Sequence, residues 1–198
     1  MKLTQRIALD CDGVLLDYAS AYGLAWERAF GVKPTLVRPH AYWPMDRWGV
    51  LRLSGDALAR FREVIGDTFW ENIPAIEGAV HACEQLLRSG YELMCVTSWD
   101  PRHLAVRTRN LQALGLPLSH VIATDSHSPS GISPKAEVLH RLRPACFVDD
   151  CTPCLVGVDA EIHKVLITRD SEGCPNTEPM LALADACFGD LQRCVSTC

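Results

Sequence analysis

The chain has 198 residues, of which 48% are hydrophobic and 22% are charged. This balance is typical of a globular protein, and it excludes a disordered, collagen-like or coiled-coil chain. Nineteen Lys and Arg residues against 24 Asp and Glu residues give a formal net charge of −5, so the chain as a whole does not attract nucleic acid or an anionic membrane. The length fits one ordinary domain with a small insertion.

The first residues do not predict a secretory signal. Lys2 and Arg6 precede a short apolar run, but Asp10 and Asp12 interrupt it before an apolar region of useful length can form. No stretch of the sequence reaches the roughly 18 consecutive apolar residues of a membrane-spanning helix. We therefore expect a cytoplasmic protein whose ten cysteines are reduced and mostly buried, since disulfides persist in oxidising compartments.

Short apolar runs alternate with helical patterns along most of the chain. Five runs predict buried parallel strands, at residues 6–9, 91–96, 120–123, 145–148 and 164–167. An apolar stripe over 79–87 predicts a helix, and three further helix starts are marked by a proline at the first helical position, in Asp100-Pro101, Ser133-Pro134 and Thr152-Pro153. A short helical pattern follows over 180–187. This alternation predicts an α/β fold with a Rossmann-like, doubly wound parallel sheet.

Residues 14–76 break the alternation. Their pattern is helical and includes no strand, and they carry four of the five tryptophans, Trp26, Trp43, Trp48 and Trp70. The segment is predicted to be a helical insertion after the first strand, so that residues 1–13 and 77–198 form the core. Its aromatic residues are expected to pack against one another, with stacking on a base or a sugar as the alternative.

The first predicted strand is followed by Asp10-Cys11-Asp12-Gly13. Carboxylates two residues apart point to the same side of an extended chain. Crowded against an apolar sheet, they need a cation or a shared proton. Gly13 suits a sharp backbone turn at such a site. A loop with solvated aspartates is the simpler explanation of this motif taken alone.

Further polar residues fall at or near the ends of other predicted strands, which meet at one edge of a doubly wound sheet. Thr97 and Ser98 offer hydroxyl and backbone N–H groups that could bind a phosphoryl oxygen. Lys135 lies in the first turn of a predicted helix, where a nearby anion would offset its repulsion by the helix dipole. Asp149 and Asp150 form an oxygen-rich pair that suits a hard cation such as Mg²⁺. Each has an ordinary structural explanation, but the ordered set is specific.

This ordered set resembles the haloacid dehalogenase superfamily of phosphohydrolases. The matching residues are Ala8-Leu9-Asp10-Cys11-Asp12-Gly13-Val14, Val96-Thr97-Ser98, Pro134-Lys135 and Phe147-Val148-Asp149-Asp150. The resemblance covers residues 6–13 and 77–168. It implies a haloacid dehalogenase-like α/β core, and residues 14–76 look like the small α-helical cap that this superfamily places after the first strand.

The resemblance implies a Mg²⁺-dependent phosphatase that hydrolyses a phosphate monoester through an aspartyl-phosphate. Asp10 would be the nucleophile, and Asp12 would be the general acid for the leaving oxygen and then the general base for water. Thr97 and Lys135 would stabilise charge on the transferring group. The implied phosphate contacts are Gly13, Thr97, Ser98 and Lys135.

The resemblance also implies how the metal is held. Mg²⁺ would bind Asp10, the backbone carbonyl of Asp12 and Asp150, with Asp149 close by or also a ligand. The dehalogenase members lack an acid at the position of Asp12, which favours phosphoryl transfer here.

Several points stay open. The division of metal binding between Asp149 and Asp150 is undecided, and so is a redox or zinc role for Cys151 and Cys154. A phosphomutase or other phosphotransferase, and a non-catalytic binding protein, remain alternatives. The motifs look somewhat like the deoxyribonucleotidase branch but do not indicate a nucleotide. The expected partner is a small phosphorylated metabolite, not a nucleic-acid polymer or a membrane, and the chain is expected to be a monomer or a homodimer.

Overall fold

The sheet is fully parallel in the structure, a computed structural model that describes residues 5–125, 131–170 and 172–197. Its strands are β1 (Arg6–Leu9), β2 (Glu92–Ser98), β3 (His120–Thr124), β4 (Cys146–Asp149), β5 (His163–Ile167) and β6 (Ala186–Phe188). They lie side by side in the order β3-β2-β1-β4-β5-β6. The strand order therefore reverses between β1 and β4, and in such sheets a crevice for ligands opens at this switch point.

Helices cover both faces of the sheet, which confirms the predicted doubly wound α/β fold. In the described residues they are α1 (Tyr18–Phe30), α2 (Pro44–Trp48), α3 (Gly55–Val64), α4 (Asp67–Glu71), α5 (Ala79–Arg88), α6 (Leu104–Ala113), α7 (Pro134–Leu142), α8 (Glu178–Leu181) and α9 (Leu191–Thr197). Within the described part of the chain, none of them combines the length and the apolar character needed to cross a lipid bilayer.

Two apolar cores result from the alternation of side chains along the strands. Leu9 of β1 belongs to a large buried cluster with Leu86 of α5. The preceding residue, Ala8, faces the other side, where it packs in a second cluster with Phe147 of β4 and Leu139 of α7. Because both faces are buried, the strands read as nearly continuous apolar runs in the sequence.

Residues 14–76 contain α1 to α4, as the helical pattern predicted. Aromatic rings of this segment contact one another: the ring centroids of Tyr22 and Phe61 are 4.8 Å apart, and those of Trp26 and Phe30 are 4.6 Å apart. These contacts fit the packing explanation of its aromatic residues. The division of the chain into a core and a cap remains a prediction.

The two connections of this segment run side by side. Ile76 N–H donates to the Leu15 carbonyl at 2.9 Å, and Asp17 N–H donates to the Pro74 carbonyl at 2.8 Å. The chain thus leaves the sheet just after Asp12 and returns along the same path. The segment is held directly beside the end of β1.

Two sequence-based expectations near the C-terminus are wrong. Residues 180–187 are not a helix: α8 ends at Leu181, and β6 pairs with the open edge of β5 instead. The backbone groups of a short apolar run are better satisfied by this pairing than by an isolated helical turn. Thr152-Pro153 begins only a 3₁₀ turn, Thr152–Leu155, because the backbone becomes extended at the next residue, Val156, with φ −65° and ψ 124°.

Two neighbouring leucines of α5 differ in burial, so we expect their substitution to lower the free energy of unfolding by different amounts. Leu86 is 6% exposed and Leu87 is 49% exposed. We expect Leu86→Ala to lower the free energy of unfolding by about 2–5 kcal/mol and Leu87→Ala by about 0.5 kcal/mol or less. Denaturant titration of both variants measures the difference. Equal losses would mean that α5 does not present this face to the sheet.

Candidate active site

Three carboxylates meet at the carboxyl edge of the sheet, where the strand order reverses. Asp10 follows β1, Asp149 ends β4, and Asp150 comes next. One oxygen of each lies within 4.8 Å of an oxygen of the others. The three residues are only 6%, 0% and 9% exposed. Ionised carboxylates this close and this poorly hydrated repel one another strongly.

Among the described residues, one buried ammonium group lies between these carboxylates. Lys135 Nζ donates to Asp10 Oδ1 and to Asp149 Oδ2, each at 2.6 Å. Burial acts to lower the pKa of Lys135, but the two carboxylates outweigh it and raise the pKa well above its usual value. Lys135 is therefore charged. Its helix, α7, starts at the capping Ser133, whose side chain accepts from the Lys135 N–H at 3.2 Å.

The positive charge of Lys135 does not balance the cluster. Burial raises the pKa of Asp149 to about 6, although Lys135 opposes the shift. Burial also raises the pKa of Asp150 well above its usual value, and the neighbouring Asp149 and Asp10 raise it further. Three carboxylates and one ammonium leave an excess of negative charge, which a divalent cation would neutralise. An all-oxygen donor set suits Mg²⁺ better than a soft metal.

Of the predicted metal ligands, the structure brings the carboxylates of Asp10, Asp149 and Asp150 together. The Asp12 carboxylate belongs to a different group of contacts, so Asp12 could contribute only the backbone carbonyl that the resemblance implied. Asp149 has both oxygens engaged, since Oδ1 accepts from the Cys151 N–H at 2.9 Å and Oδ2 accepts from Lys135. Asp150 is thus better placed than Asp149 to bind a metal.

Gly13 is required by the close approach of Asp150. Its φ is +89°, and a Cβ added there would lie 2.0 Å from Asp150 Oδ2. A side chain at this position would displace the carboxylate. Arg169 Nη2 donates a hydrogen bond to the Gly13 carbonyl, which fixes the turn from its other side.

Thr97 and Ser98, the two hydroxyl residues at the end of β2, have side chains on opposite faces of the strand. Thr97 is 2% exposed, and its neighbour Ser98 points to the opposite face of the strand. The Ser98 hydroxyl lies 3.2 Å from the Thr124 hydroxyl of β3. The phosphate-binding roles of Thr97, Ser98, Gly13 and Lys135 remain predictions.

Comparison with known proteins identifies the fold. No protein-family model and no curated protein matches the chain, but solved structures do. A dehalogenase with an intermediate complex superposes with a TM-score of 0.64 at 17% identity, over 98% of this chain and 96% of its own. A predicted phosphoglycolate phosphatase from Haemophilus somnus gives 0.61 at 19% identity, over 100% and 99%. A HAD family hydrolase from Deinococcus radiodurans, with bound phosphate and sodium, gives 0.60 at 14% identity, over 96% and 93%.

The chain has the haloacid dehalogenase-like fold. At these identities the likeness establishes the fold and not the reaction, because the similar structures include dehalogenases as well as a phosphatase. The chemistry must be argued from the residues of this chain.

Asp12 is held by two residues that the sequence motifs did not indicate. Arg107 Nη2 donates to Asp12 Oδ1 at 2.5 Å, and Trp99 Nε1 donates to Asp12 Oδ2 at 3.0 Å. Burial raises the pKa of Asp12, and the Arg107 charge opposes this shift. Its side chain is 29% exposed, so Asp12 can still exchange protons with a bound molecule.

A cavity of about 420 Å³ opens between this edge of the haloacid dehalogenase-like core and the segment 14–76. From the core it is lined by Asp12, Gly13, Asp150 and Arg169. The segment contributes the rest, including aromatic residues and Arg47. Sequence analysis did not single out either arginine, because neither lies in a recognisable motif.

Both arginines of the cavity are fixed in place. Arg47 Nε donates to the Ala41 carbonyl at 2.5 Å, and Arg169 Nη1 donates to the Gly189 carbonyl at 3.3 Å. Burial lowers the pKa of Arg47, and the nearby Arg169 lowers it further. The two guanidinium groups offer positive charge in a cavity wall that also carries carboxylates, one of which, Asp17, lies 3.8 Å from Arg47 Nη1.

Cys151 and Cys154 lie beside the carboxylate cluster. Contact with Cys154 lowers the pKa of the Cys151 thiol, while burial acts in the opposite direction. In the described part of the chain, the group of three or more side chains that could hold a metal consists of aspartates and includes neither cysteine. Their role stays open.

Because the carboxylates are crowded, we expect bound Mg²⁺ to stabilise the folded protein. Mg²⁺ at a hundred times its Kd should raise the free energy of unfolding by about 2.7 kcal/mol. Asp150→Asn should make the metal-free protein more stable, because burial and the neighbouring carboxylates disfavour the ionised form of Asp150 in the folded state, and it should abolish the response to Mg²⁺. Thermal unfolding with Mg²⁺ and with EDTA measures both effects. An unchanged Mg²⁺ response in Asp150→Asn would contradict the assignment of this ligand.

A side chain added at position 13 is also expected to weaken metal binding. Gly13→Ala should displace the Asp150 carboxylate and weaken Mg²⁺ binding by tenfold or more, as measured by calorimetric titration. Gly90→Ala is the matched control, since Gly90 also has a positive φ of +90° and a Cβ there meets nothing within 4 Å. Equal Mg²⁺ affinity in the wild type and Gly13→Ala would show that Asp150 is not held against this turn.

Proposed function

We propose that the protein is a Mg²⁺-dependent phosphatase that hydrolyses the phosphate monoester of a small metabolite through an aspartyl-phosphate on Asp10. The observation that carries the proposal is the buried cluster of Asp10, Asp149, Asp150 and Lys135 at the carboxyl edge of the sheet. Mg²⁺ held there by Asp10 and Asp150 would supply the positive charge that lets an anionic phosphoryl group approach a carboxylate.

Asp10 is well placed to be the nucleophile. Its backbone N–H is tied to the Val148 carbonyl of β4 at 2.8 Å, and its Oδ1 is held by Lys135. The orientation of the carboxylate is thereby fixed, and Oδ2 is the oxygen that would attack phosphorus. Lys135 remains charged throughout, so it can offset the negative charge of the transferring group.

Asp12 is suited to proton transfer at the leaving oxygen. It lines the cavity together with Gly13 and Asp150, and the burial that raises its pKa favours the protonated form needed in a general acid. After the leaving group departs, the same carboxylate could take a proton from the water that hydrolyses the aspartyl-phosphate. The two steps regenerate Asp10 and release inorganic phosphate.

The cavity indicates the kind of ester. Its volume of about 420 Å³ falls in the range of pockets for small molecules. Arg47 and Arg169 favour an anionic substrate, with Thr97 and the backbone at Gly13 as further contacts for its phosphate. The substrate would therefore be a small phosphorylated metabolite that reaches Asp10 from the side of the segment 14–76.

Phosphoryl transfer is favoured over dehalogenation by the residues themselves. Carbon–halogen cleavage by an aspartate needs neither a cation site nor a proton donor for the departing halide. This chain has an acid at position 12 beside the cavity and surplus negative charge at the carboxylate cluster. Both features serve an anionic substrate with a poor leaving group.

The test is the release of inorganic phosphate from a panel of nucleotides, sugar phosphates and phosphorylated acids, with Mg²⁺ or with EDTA. Turnover is expected only with Mg²⁺, and Asp10→Asn should lower it on the order of a thousandfold. Asp56→Asn is the control for the same chemical change, since Asp56 is exposed in the first turn of α3.

The same assay, extended to 2-chloropropionate and to analysis of the organic products, distinguishes the competing reactions. Release of halide from 2-chloropropionate without Mg²⁺, and of no phosphate from any ester, would establish a dehalogenase instead. Conversion of a sugar phosphate into its isomer, with little free phosphate, would establish a phosphomutase. Turnover by Asp10→Asn equal to that of the wild type would exclude Asp10 as the nucleophile.

A further inference from the structure

Arg107 is a fully buried cation whose one carboxylate partner, among the described residues, is Asp12. The residue lies in α6 and is 0% exposed. Its Nη2 donates to Asp12 Oδ1 and also contacts the Cys11 sulfur at 3.7 Å. Taking a charged group out of water is costly, and the cost is offset only by partners of good geometry.

Two indole rings hold the guanidinium in place. Arg107 Cζ lies 3.7 Å from the ring centroid of Trp99 and 4.9 Å from that of Trp70. Such contacts stabilise a cation that has lost its hydration. Nε and Nη1 are buried and have no hydrogen-bond partner among the described residues. The rings and the single ion pair thus determine where the guanidinium lies.

Trp99 acts on Asp12 as well as on Arg107. Its Nε1 donates to Asp12 Oδ2 at 3.0 Å, while its ring face lies against the guanidinium. Each oxygen of the Asp12 carboxylate therefore has one fixed donor. A carboxylate held at both oxygens cannot rotate freely about its χ2 torsion.

This arrangement is anchored to the segment 14–76. Trp70 belongs to α4, and the neighbouring Glu71 forms an exposed ion pair with Arg109 of α6 at 2.7 Å, which contributes little to the docking. Asn110 Nδ2 donates to the Glu71 carbonyl at 2.9 Å and to the Ile73 carbonyl at 3.0 Å. Helix α6 is thereby docked against α4, and Arg107 points from that contact to Asp12.

We propose that Arg107 and Trp99 are positioning residues that hold the Asp12 carboxylate in the orientation for proton transfer to the leaving oxygen. The inference rests on the proposed role of Asp12 as general acid. Neither residue needs to touch the substrate. Their effect is exerted through the two hydrogen bonds to Asp12.

The kinetic test compares two esters of similar size, p-nitrophenyl phosphate and p-nitrobenzyl phosphate. The first has a good leaving group that needs little protonation, and the second has a poor one that depends on a general acid. The parameter is kcat/KM with Mg²⁺ present, because it reports on phosphoryl transfer to Asp10 and not on the later hydrolysis. A loss of fold alone would lower both values equally.

The variants are Trp99→Phe, Arg107→Lys and, as the matched control, Arg109→Lys. Trp99→Phe keeps a ring against the guanidinium and removes the donor to Asp12. For Trp99→Phe and Arg107→Lys, kcat/KM should fall about tenfold or more for the benzyl ester, within the roughly 10²–10⁴-fold contribution of a general acid, and less than threefold for the phenyl ester. Arg109→Lys makes the same change on the same helix, and both its values should stay within twofold of the wild type.

Equal losses on the two esters in Trp99→Phe, or no loss on either, would overturn the proposal. This holds even if Arg107→Lys proves too unstable to study, since Trp99→Phe removes the hydrogen bond to Asp12 and keeps an aromatic ring at this position. A leaving-group-dependent loss in Arg109→Lys of the same size would also overturn it, because the effect would then come from α6 docking.

A second readout does not depend on turnover. The Trp99 indole N–H resonance, assigned by its absence in Trp99→Phe, should shift and exchange faster with solvent in Asp12→Ala and in Arg107→Lys. It should be unchanged in Arg109→Lys. If the wild type hydrolyses no ester, the proposed function fails, while the shift in Asp12→Ala still supports the hydrogen bond from Trp99 to Asp12. An unchanged resonance in Arg107→Lys would show that Arg107 does not position Asp12.

Discussion

The site depends on the mutual repulsion of buried carboxylates at the carboxyl ends of β1 and β4. The parallel sheet places these strands side by side, so that Asp10, Asp149 and Asp150 converge where hydration is poor. Lys135 neutralises only part of the charge. The glycine at position 13 leaves room for Asp150 to approach. The fold therefore concentrates negative charge at this edge, which a bound hard cation would neutralise.

The segment 14–76 completes the site that the sheet begins. It covers the carboxyl edge and supplies most of the cavity wall, including Arg47. Arg169, from the loop after β5, faces the same cavity and bonds to the turn at Gly13. Positive charge from two distant parts of the chain is thus brought opposite the aspartates.

Much of this arrangement is predictable from the sequence, for a definite physical reason. Asp10, Lys135 and Asp150 lie at the ends of apolar strands or in the first turn of a capped helix, and these boundaries are local signals. Arg107 and Trp99 are different, because they meet Asp12 across 95 and 87 positions of the chain. No periodicity or cap marks them. The edge strand β6 was missed for a similar reason, since its three residues form a strand only by pairing with β5.

The paired connections of the helical segment bear on how such a chain can diversify. Leu16 forms a β-bridge with Ala75, so the chain enters and leaves the helical segment at nearly the same point. Insertions with adjacent ends disturb the host little, and the cost of closing a longer loop rises only slowly with its length. The covering helices could therefore be lengthened, shortened or exchanged while the sheet and its carboxylates stay intact. In a chain built this way, the reaction and the choice of substrate can change independently over generations.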